Sequence, residues 1–194
     1  PHGEPQARRG APPVTETHPD VTAVLFEPDA IRTQVARVAR EIVADYPAST
    51  PVLIGVLKSA VVFMADLLRA IERPVAVDFV SIGGYGRPTP SGVVRIRKDL
   101  DTSIEDRDVI VVEGVVDTGL TLSYLVRNFR TRQPRSLRVC AFLNKRAGRA
   151  IDLRVDYHAF ESVTDFVVGY GLDYRERYRN LPVVGVLSPS VLGR

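Results

Sequence analysis

The chain has 194 residues, a mass of 21.4 kDa and a formal net charge of +3, which suits one domain with a packed core. Hydrophobic residues make up 45% and charged residues 25% of the sequence, so the composition argues against disorder of the whole chain. No apolar run approaches the roughly 18 residues of a membrane helix, and no secretory signal is visible. One cysteine and three histidines leave no internal disulfide or His/Cys zinc cluster, and we expect a cytoplasmic protein.

The N-terminal region differs in composition from the rest of the chain. Five of the fourteen prolines lie within the first twenty residues, and proline is poorly tolerated in helix interiors and in central strands. We therefore expect residues 1–20 to form a flexible arm and residues 21–194 to form the folded domain.

Hydrophobic periodicity predicts helices that alternate with strands along the domain. Apolar residues recur at helical spacing over 31–42, over 59–71 and after Gly119. Mostly apolar strand patterns cover 51–57, 75–81, 93–97, 109–112, 137–143, 154–160 and 166–170. The alternation predicts an α/β fold with a largely parallel sheet.

Ligands of parallel sheets bind beyond the carboxyl ends of the strands. The loops that follow Val56, Ser81, Val112 and Leu143 are therefore the candidate binding loops. The loop after Ser81 includes 83–92, which holds four glycines and two prolines in ten residues. This composition predicts a mobile loop.

The stretch from 109 to 121 carries the clearest chemical signal. An apolar strand is followed by Glu113 and then by Asp117-Thr118-Gly119-Leu120-Thr121, which opens a helix. Backbone amides and hydroxyls at a helix N-terminus suit a phosphate monoester, and nearby carboxylates can bind sugar hydroxyls, hold Mg²⁺ or accept a proton. An ordinary helix cap is the alternative interpretation, because Asp and Thr are common N-cap residues.

This stretch resembles the motif that binds phosphoribosyl pyrophosphate (PRPP) in type I phosphoribosyltransferases. The resemblance covers residues 26 to about 189 and includes Leu57-Lys58-Ser59-Ala60, Gly83-Gly84-Tyr85-Gly86, Lys145-Arg146 and the segment 166–179. Within that family the sequence is most similar to bacterial hypoxanthine-guanine phosphoribosyltransferases. The resemblance implies a mostly parallel central sheet flanked by helices, a mobile lid loop, and a small hood built from the chain ends and about 152–175.

The resemblance also implies an activity and a set of catalytic residues. The reaction would be a Mg²⁺-dependent transfer of the 5-phosphoribosyl group from PRPP to hypoxanthine or guanine, giving IMP or GMP and pyrophosphate. Asp117 would be the general base, and Tyr85, in the lid, would close over the reacting centre. The residues expected to bind PRPP are Glu113, Thr118, Gly119, Leu120, Thr121, Leu57, Lys58, Ser59 and Arg179.

The base-binding residues implied by the resemblance are Lys145, Phe166, Val167 and Asp173. Lys145 would donate a hydrogen bond to O6 of the purine, and Phe166 would stack on the purine ring. Mg²⁺ would bind to Asp173 and, directly or through water, to Glu113. Simpler interpretations exist for each residue: core positions for Phe166 and Val167, a turn for Asp173, and a basic surface segment for Lys145.

The sequence departs from the family pattern at three places. Gly114 stands where a second acid is usual, Gly83-Gly84 replaces two serines at the lid tip, and 162–165 reads Ser-Val-Thr-Asp where Ile-Pro is usual. If the lost acid weakens PRPP binding, Gly114→Asp should lower the apparent constant for PRPP. The departures also leave open a different acceptor, a modified purine-like or other heterocyclic base.

A third hypothesis is a non-catalytic sensor that binds PRPP or a nucleotide and regulates RNA or a partner. Retention of Asp117 argues against it, and we expect neither a nucleic-acid nor a membrane partner. The family resemblance instead implies a homodimer or homotetramer. The basic residues that we expect on a solvated face or subunit contact are Arg127, Arg130, Arg132, Arg135 and Arg138.

Overall fold

The computed structural model describes residues 18–83, 95–161 and 164–193. The strands are β1 Val21–Phe26, β2 Val52–Leu57, β3 Ala76–Gly83, β4 Arg95–Lys98, β5 Asp108–Val116, β6 Ser136–Asn144, β7 Tyr157–Glu161, β8 Val167–Val168 and β9 Val184–Leu187. The helices are α1 Pro28–Asp45, α2 Val61–Ala70, α3 Leu120–Arg130 and the short α4 Pro189–Leu192. No helix in these ranges is both long enough and apolar enough to cross a membrane.

Six strands form the central sheet in the order β4-β3-β2-β5-β6-β7. Neighbouring strands are parallel except at one edge, where β4 runs antiparallel to β3. This arrangement confirms the predicted α/β class. Because β2, β5 and β6 are parallel, their last residues Leu57, Val116 and Asn144 lie together at the carboxyl ends of the strands. This side of the sheet is called its carboxyl edge below.

Helices cover both faces of the sheet, because alternate residues of the buried strands point to opposite sides. In β5, Ile110 and Val112 belong to the core shared with α1 and α2, whereas Val109 and Val111 belong to the core shared with α3. All four side chains have no exposed surface. The sheet is therefore rigidly packed on both sides up to the carboxyl edge that carries the candidate site.

A second, three-stranded antiparallel sheet joins β1, β9 and β8. The expected extent of the hood is wrong in one respect, since Tyr157–Glu161 pairs in parallel with β6 as an edge strand of the central sheet. The boundary of the N-terminal arm also needs correction at residues 18–20. The Tyr178 hydroxyl donates to Asp20 at 2.7 Å, and His18 packs edge-on against the Tyr178 ring. The rest of the predicted arm lies outside the described residues.

Candidate active site

The turn after β5 opens toward solvent. Asp117, Thr118 and Leu120 are exposed, while Gly119 is buried with φ +80° at the N-terminus of α3. A positive φ is easily adopted by glycine and costly for most other residues. The N-cap residue Gly119 makes no side-chain cap, but the Leu120 N–H donates to Thr118 Oγ1 at 3.5 Å, so the helix-cap interpretation keeps weak support for Thr118. The exposed turn leaves room for an anion at its amides.

Asp117 lies beside Lys145, which β6 delivers to the carboxyl edge of the sheet. The Lys145 Nζ is 3.9 Å from Asp117 Oδ2, with side-chain exposures of 11% and 58% respectively. Lys145 also donates from Nζ to the Asp165 carbonyl at 2.9 Å and from its backbone N–H to the Val116 carbonyl at 2.9 Å. A largely buried, fixed ammonium group thus stands next to an accessible carboxylate.

Arg149 supports this corner from behind, a role that the sequence did not reveal. Its guanidinium donates to Asn144 Oδ1 at 2.5 Å, to the Lys145 carbonyl at 2.9 Å and to the Leu153 carbonyl at 3.1 Å. Its Cδ would lie 3.2 Å from a Cβ built on Gly119. The available signal was its place in a basic segment with Lys145, which did not distinguish a partly buried, hydrogen-bonded arginine from a solvated one.

Phe166 directly follows Asp165, whose carbonyl accepts a hydrogen bond from Lys145 Nζ. Its side chain is 43% exposed, and its ring meets Tyr174 edge-on with centroids 5.6 Å apart. Val167 is buried in β8 and pairs with Val186. An exposed aromatic ring near the Lys145–Asp117 corner can stack on a planar ligand, whereas Val167 can contribute only through its backbone or as core.

Glu113 does not stand at a strand end as expected, because β5 continues to Val116. Gly114 and two valines extend the strand in the middle of the sheet. The Glu113 side chain is 2% exposed, and its Oε1 accepts from Ser59 Oγ at 2.7 Å and from the Gly114 N–H at 2.8 Å. Burial raises the pKa of this carboxyl to about 7, although the hydrogen bonds oppose the shift.

A set of charged groups surrounds the loop after β2. The peptide bond between Leu57 and Lys58 is cis, and Lys58 Nζ donates to Glu176 Oε2 at 3.0 Å. Glu176 also lies 3.3 Å from Arg179, and Arg179 lies 2.9 Å from Asp173. The structure therefore brings Lys58, Asp173 and Arg179 together, and it adds Glu176, which carried no sequence signal beyond being an acid among arginines.

The predicted site residues thus fall into two neighbouring groups at the carboxyl edge of the sheet. One group combines Asp117 and its turn with Lys145 and Phe166, and the other combines Lys58, Ser59, Glu113, Asp173 and Arg179. Gly83, the first residue of the predicted lid, instead ends β3 and pairs with Arg95. Tyr85 and the rest of the lid tip lie outside the described residues, as do residues 162 and 163. Their predicted roles stay predictions.

The donor set for a metal is sparse. Within the described ranges, no three His, Cys, Asp or Glu side chains lie close enough to hold a metal ion. Mg²⁺ commonly binds to one or two carboxylates together with substrate phosphates, so the partly exposed Asp173 fits that pattern. Glu113 fits it poorly, because its carboxylate is buried and already hydrogen bonded.

The three arginines that follow α3 in the basic stretch are paired with acids. Arg132 pairs with Asp99, Arg135 with Asp108 and Arg138 with Asp45. Paired guanidinium groups are less available to phosphates. The side chains of Arg132 and Arg138 are only 29% and 37% exposed, so these two do not form the freely solvated face that was expected. A cavity of about 620 Å³ lies between α1, α2 and the segment 179–182, so Arg179 lines it, whereas Asp117 and Lys145 do not.

The fold and this site together define a class of enzyme. The sequence pattern of the phosphoribosyl transferase domain family matches residues 25–175, and the chain belongs to that family. It has the type I phosphoribosyltransferase fold that was predicted. More specifically, it is 47% identical over 173 residues to the hypoxanthine-guanine phosphoribosyltransferase of Bacillus subtilis (strain 168), covering 89% of this chain and 96% of that protein.

Further relatives agree. The chain is 49% identical over 179 residues to the hypoxanthine-guanine phosphoribosyltransferase of Mycobacterium avium, covering 89% of this chain and 88% of that protein. It superposes with a TM-score of 0.86, at 39% identity, on a lysine-to-arginine mutant of Trypanosoma cruzi hypoxanthine phosphoribosyltransferase complexed with the product IMP, covering 92% and 96% of the two chains. The predicted resemblance to bacterial hypoxanthine-guanine phosphoribosyltransferases is therefore confirmed.

Proposed function

We propose that this protein transfers the 5-phosphoribosyl group of PRPP to hypoxanthine or guanine, a purine salvage reaction. The observation that carries the proposal is the Asp117–Lys145 pair, 3.9 Å apart, at an open turn suited to a phosphate. A 6-oxopurine presents an oxygen acceptor to an ammonium group and an imidazole N–H to a carboxylate. The names of the relatives and the IMP complex of one of them support the same chemistry.

The residues divide the work of the reaction. The amides and hydroxyls of 118–121 hold the 5′-phosphate, and Lys58 and Arg179 attract the pyrophosphate. The bond from C1 of the ribose to the pyrophosphate oxygen breaks, and a bond from C1 to a purine ring nitrogen forms. The proton of the imidazole N–H passes to Asp117, and Phe166 keeps the purine plane in line with C1.

Mg²⁺ belongs to the proposal as a cofactor with Asp173 as its protein ligand. When bound, it would neutralise charge on the pyrophosphate oxygens. Asp173 is held beside Arg179 at 2.9 Å, so the carboxylate is already oriented next to a group that attracts the same anion. We further propose a cytoplasmic homodimer or homotetramer, in keeping with the family resemblance.

A base screen tests the proposed function. The protein is incubated with PRPP, Mg²⁺ and hypoxanthine, guanine, xanthine or adenine, and nucleotide formation is followed by chromatography. We expect hypoxanthine and guanine to react at least about 100-fold better than adenine, whose amino group would face the Lys145 ammonium. No nucleotide from any base would refute the proposal.

The same screen addresses the second candidate, a modified purine-like or other heterocyclic acceptor. Lys145 donates to the carbonyl of Asp165, so the last residue of the unusual stretch directly adjoins the proposed base pocket. If a modified heterocycle is turned over faster than both hypoxanthine and guanine, the acceptor in the main proposal is wrong while the phosphoribosyl transfer stands.

A further inference from the structure

Ser59 connects the loop after β2 to the buried acid of β5. Its hydroxyl donates to Glu113 Oε1 at 2.7 Å, and the Gly114 N–H donates to the same oxygen at 2.8 Å. Glu113 is 2% exposed, so these bonds lie within the protein. A buried carboxyl group depends on such donors, because each one lost leaves an oxygen acceptor less well satisfied away from water.

Two glycines from distant parts of the chain enclose the same residue. A Cβ built on Gly114 would lie 2.8 Å from Ser59 Cβ, 2.8 Å from the Ser59 carbonyl oxygen and 2.9 Å from its carbonyl carbon. A Cβ built on Gly171 would lie 2.6 Å from that same oxygen. Real Cβ atoms essentially never approach other heavy atoms this closely. Ser59 therefore occupies a slot that exists because residues 114 and 171 lack side chains.

We propose that Ser59 is a positioning residue for PRPP: its hydroxyl orients the Glu113 carboxylate, and its backbone, enclosed by Gly114 and Gly171, places Lys58 toward the pyrophosphate. The inference rests on the proposed function for its ligand, but the slot itself does not. Lys58 directly precedes Ser59 and contacts Glu176 and, through it, Arg179. A shift of Ser59 would therefore move a cation away from the other groups that surround the anion.

The packing of Ser59 gives a steric reason for glycine at position 114. The sequence suggested a missing acid, whose return should lower the apparent constant for PRPP. In the structure, the position that a side chain at 114 needs is filled by Ser59, including its backbone. The φ of Gly114 is not in the left-handed region, so space alone demands glycine here. Gly114→Asp should therefore raise the apparent KM for PRPP and lower the free energy of unfolding.

Kinetics of Ser59→Ala test the role of the hydroxyl, with Ser136→Ala as the matched control. Ser136 Oγ donates to Asp108 Oδ1 at the same 2.7 Å, but on the side of the sheet opposite the carboxyl edge. We expect Ser59→Ala to raise the KM for PRPP about tenfold, because the Glu113 carboxyl loses the hydroxyl that orients it. The kcat at saturating PRPP should change less than about threefold, since binding is what weakens.

Ser136→Ala should leave the KM for PRPP within about twofold of the unsubstituted protein, because its hydrogen bond lies away from the site. If Ser59→Ala behaves like Ser136→Ala, the positioning role of the hydroxyl is refuted. A loss of kcat and an unchanged KM would refute it as well, since that pattern does not reflect ground-state placement of PRPP.

Unfolding measurements without substrate test the slot independently of the enzymatic activity. Urea denaturation of Gly114→Ala, Ser59→Gly and the double variant forms a thermodynamic cycle. We expect Gly114→Ala to destabilise less in the Ser59→Gly background, because the Cβ contact disappears and the glycine backbone can withdraw. If the two substitutions change the free energy of unfolding additively, the proposed packing of Ser59 against residue 114 is refuted. Absence of PRPP turnover would refute the proposed function and leave this cycle as the decisive measurement.

Discussion

Asp117 is an accessible carboxylate at the centre of the proposed reaction. Its side chain is 58% exposed, so Asp117→Asn should change the free energy of unfolding by less than about 0.5 kcal/mol. Loss of the general base should lower kcat about 10²- to 10⁴-fold. Steady-state kinetics and urea denaturation measure the two quantities.

Asp106→Asn is the matched control for that variant. Asp106 is exposed near the opposite end of β5 and has φ 54°, a conformation that asparagine tolerates well. We expect full activity from this variant. If Asp117→Asn retains a kcat within tenfold of the control, Asp117 is not the general base.

Lys145 should determine which bases are accepted. Its ammonium group is nearly buried and donates to the Asp165 carbonyl, whereas the neighbouring Arg146 is exposed and pairs with Glu161. Lys145→Gln should lower kcat/KM for hypoxanthine about 10- to 100-fold and narrow the preference over adenine. Arg146→Gln should change neither kcat/KM for hypoxanthine nor the preference over adenine. Equal effects of the two substitutions would contradict the proposed role of Lys145 in base selection.

Glu113 should make stability fall as pH rises. Burial raises its pKa to about 7 from an ordinary 4.5, so the folded state binds more protons than the unfolded state between these values. Stability is then lost as pH increases from about 4.5 to about 7. Glu113→Gln should flatten this decline when urea denaturation is measured from pH 5 to pH 8 without ligands. An unchanged slope would show that the carboxyl titrates normally.

Asp108 shows the opposite pH behaviour at the first residue of β5. Hydrogen bonds from Arg135 and Ser136 hold its pKa below the ordinary 3.8 despite partial burial. Its contribution is therefore present above about pH 4 and is lost as pH falls toward the lowered pKa. Asp108→Asn should cost about 1–2 kcal/mol at pH 7, and the deficit should narrow at pH 3. A constant deficit in urea denaturation at both pH values would contradict this account.

The β5 strand shows that local sequence identifies a buried strand, whereas tertiary contacts decide where the strand ends. The apolar run 109–112 identified a buried strand, but the strand extends to Val116. The acid at 113 suggested an end to the strand because carboxylates usually need water. Ser59 and the strand's own amides satisfy that carboxylate, and Ser59 lies 54 positions away in the chain. No local pattern contains this information.

At the scale of the whole molecule, the small sheet adjoins part of the proposed base site. Phe166 precedes β8, which pairs with β9, and β9 pairs with β1. A Cβ on Gly185 would lie 2.4 Å from Val21 Cγ1 and 3.0 Å from the Ala23 carbonyl oxygen. Gly185→Ala should therefore cost about 1–3 kcal/mol of stability and raise the KM for hypoxanthine.

Gly193→Ala is the control for Gly185→Ala, since the nearest atom to its Cβ would be 3.9 Å away. We expect it to match the unsubstituted protein in urea denaturation and in hypoxanthine kinetics. If Gly185→Ala unfolds and binds normally as well, the small sheet does not position the base.

The sequence by itself determined the α/β class and the family, and it located the turn at 117–121 that we propose holds the phosphate. Apolar periodicity, a glycine in a turn between a strand and a helix, and short motifs are local features that survive without knowledge of the fold. Tertiary structure decided the pairing of β1 with β9, the burial of Glu113, and the support of Lys145 by Arg149. It also decided why residue 114 is glycine, because that need arises from Ser59, in the loop after a different strand. Contacts between remote residues depend on how the elements pack, and packing is a property of the whole chain.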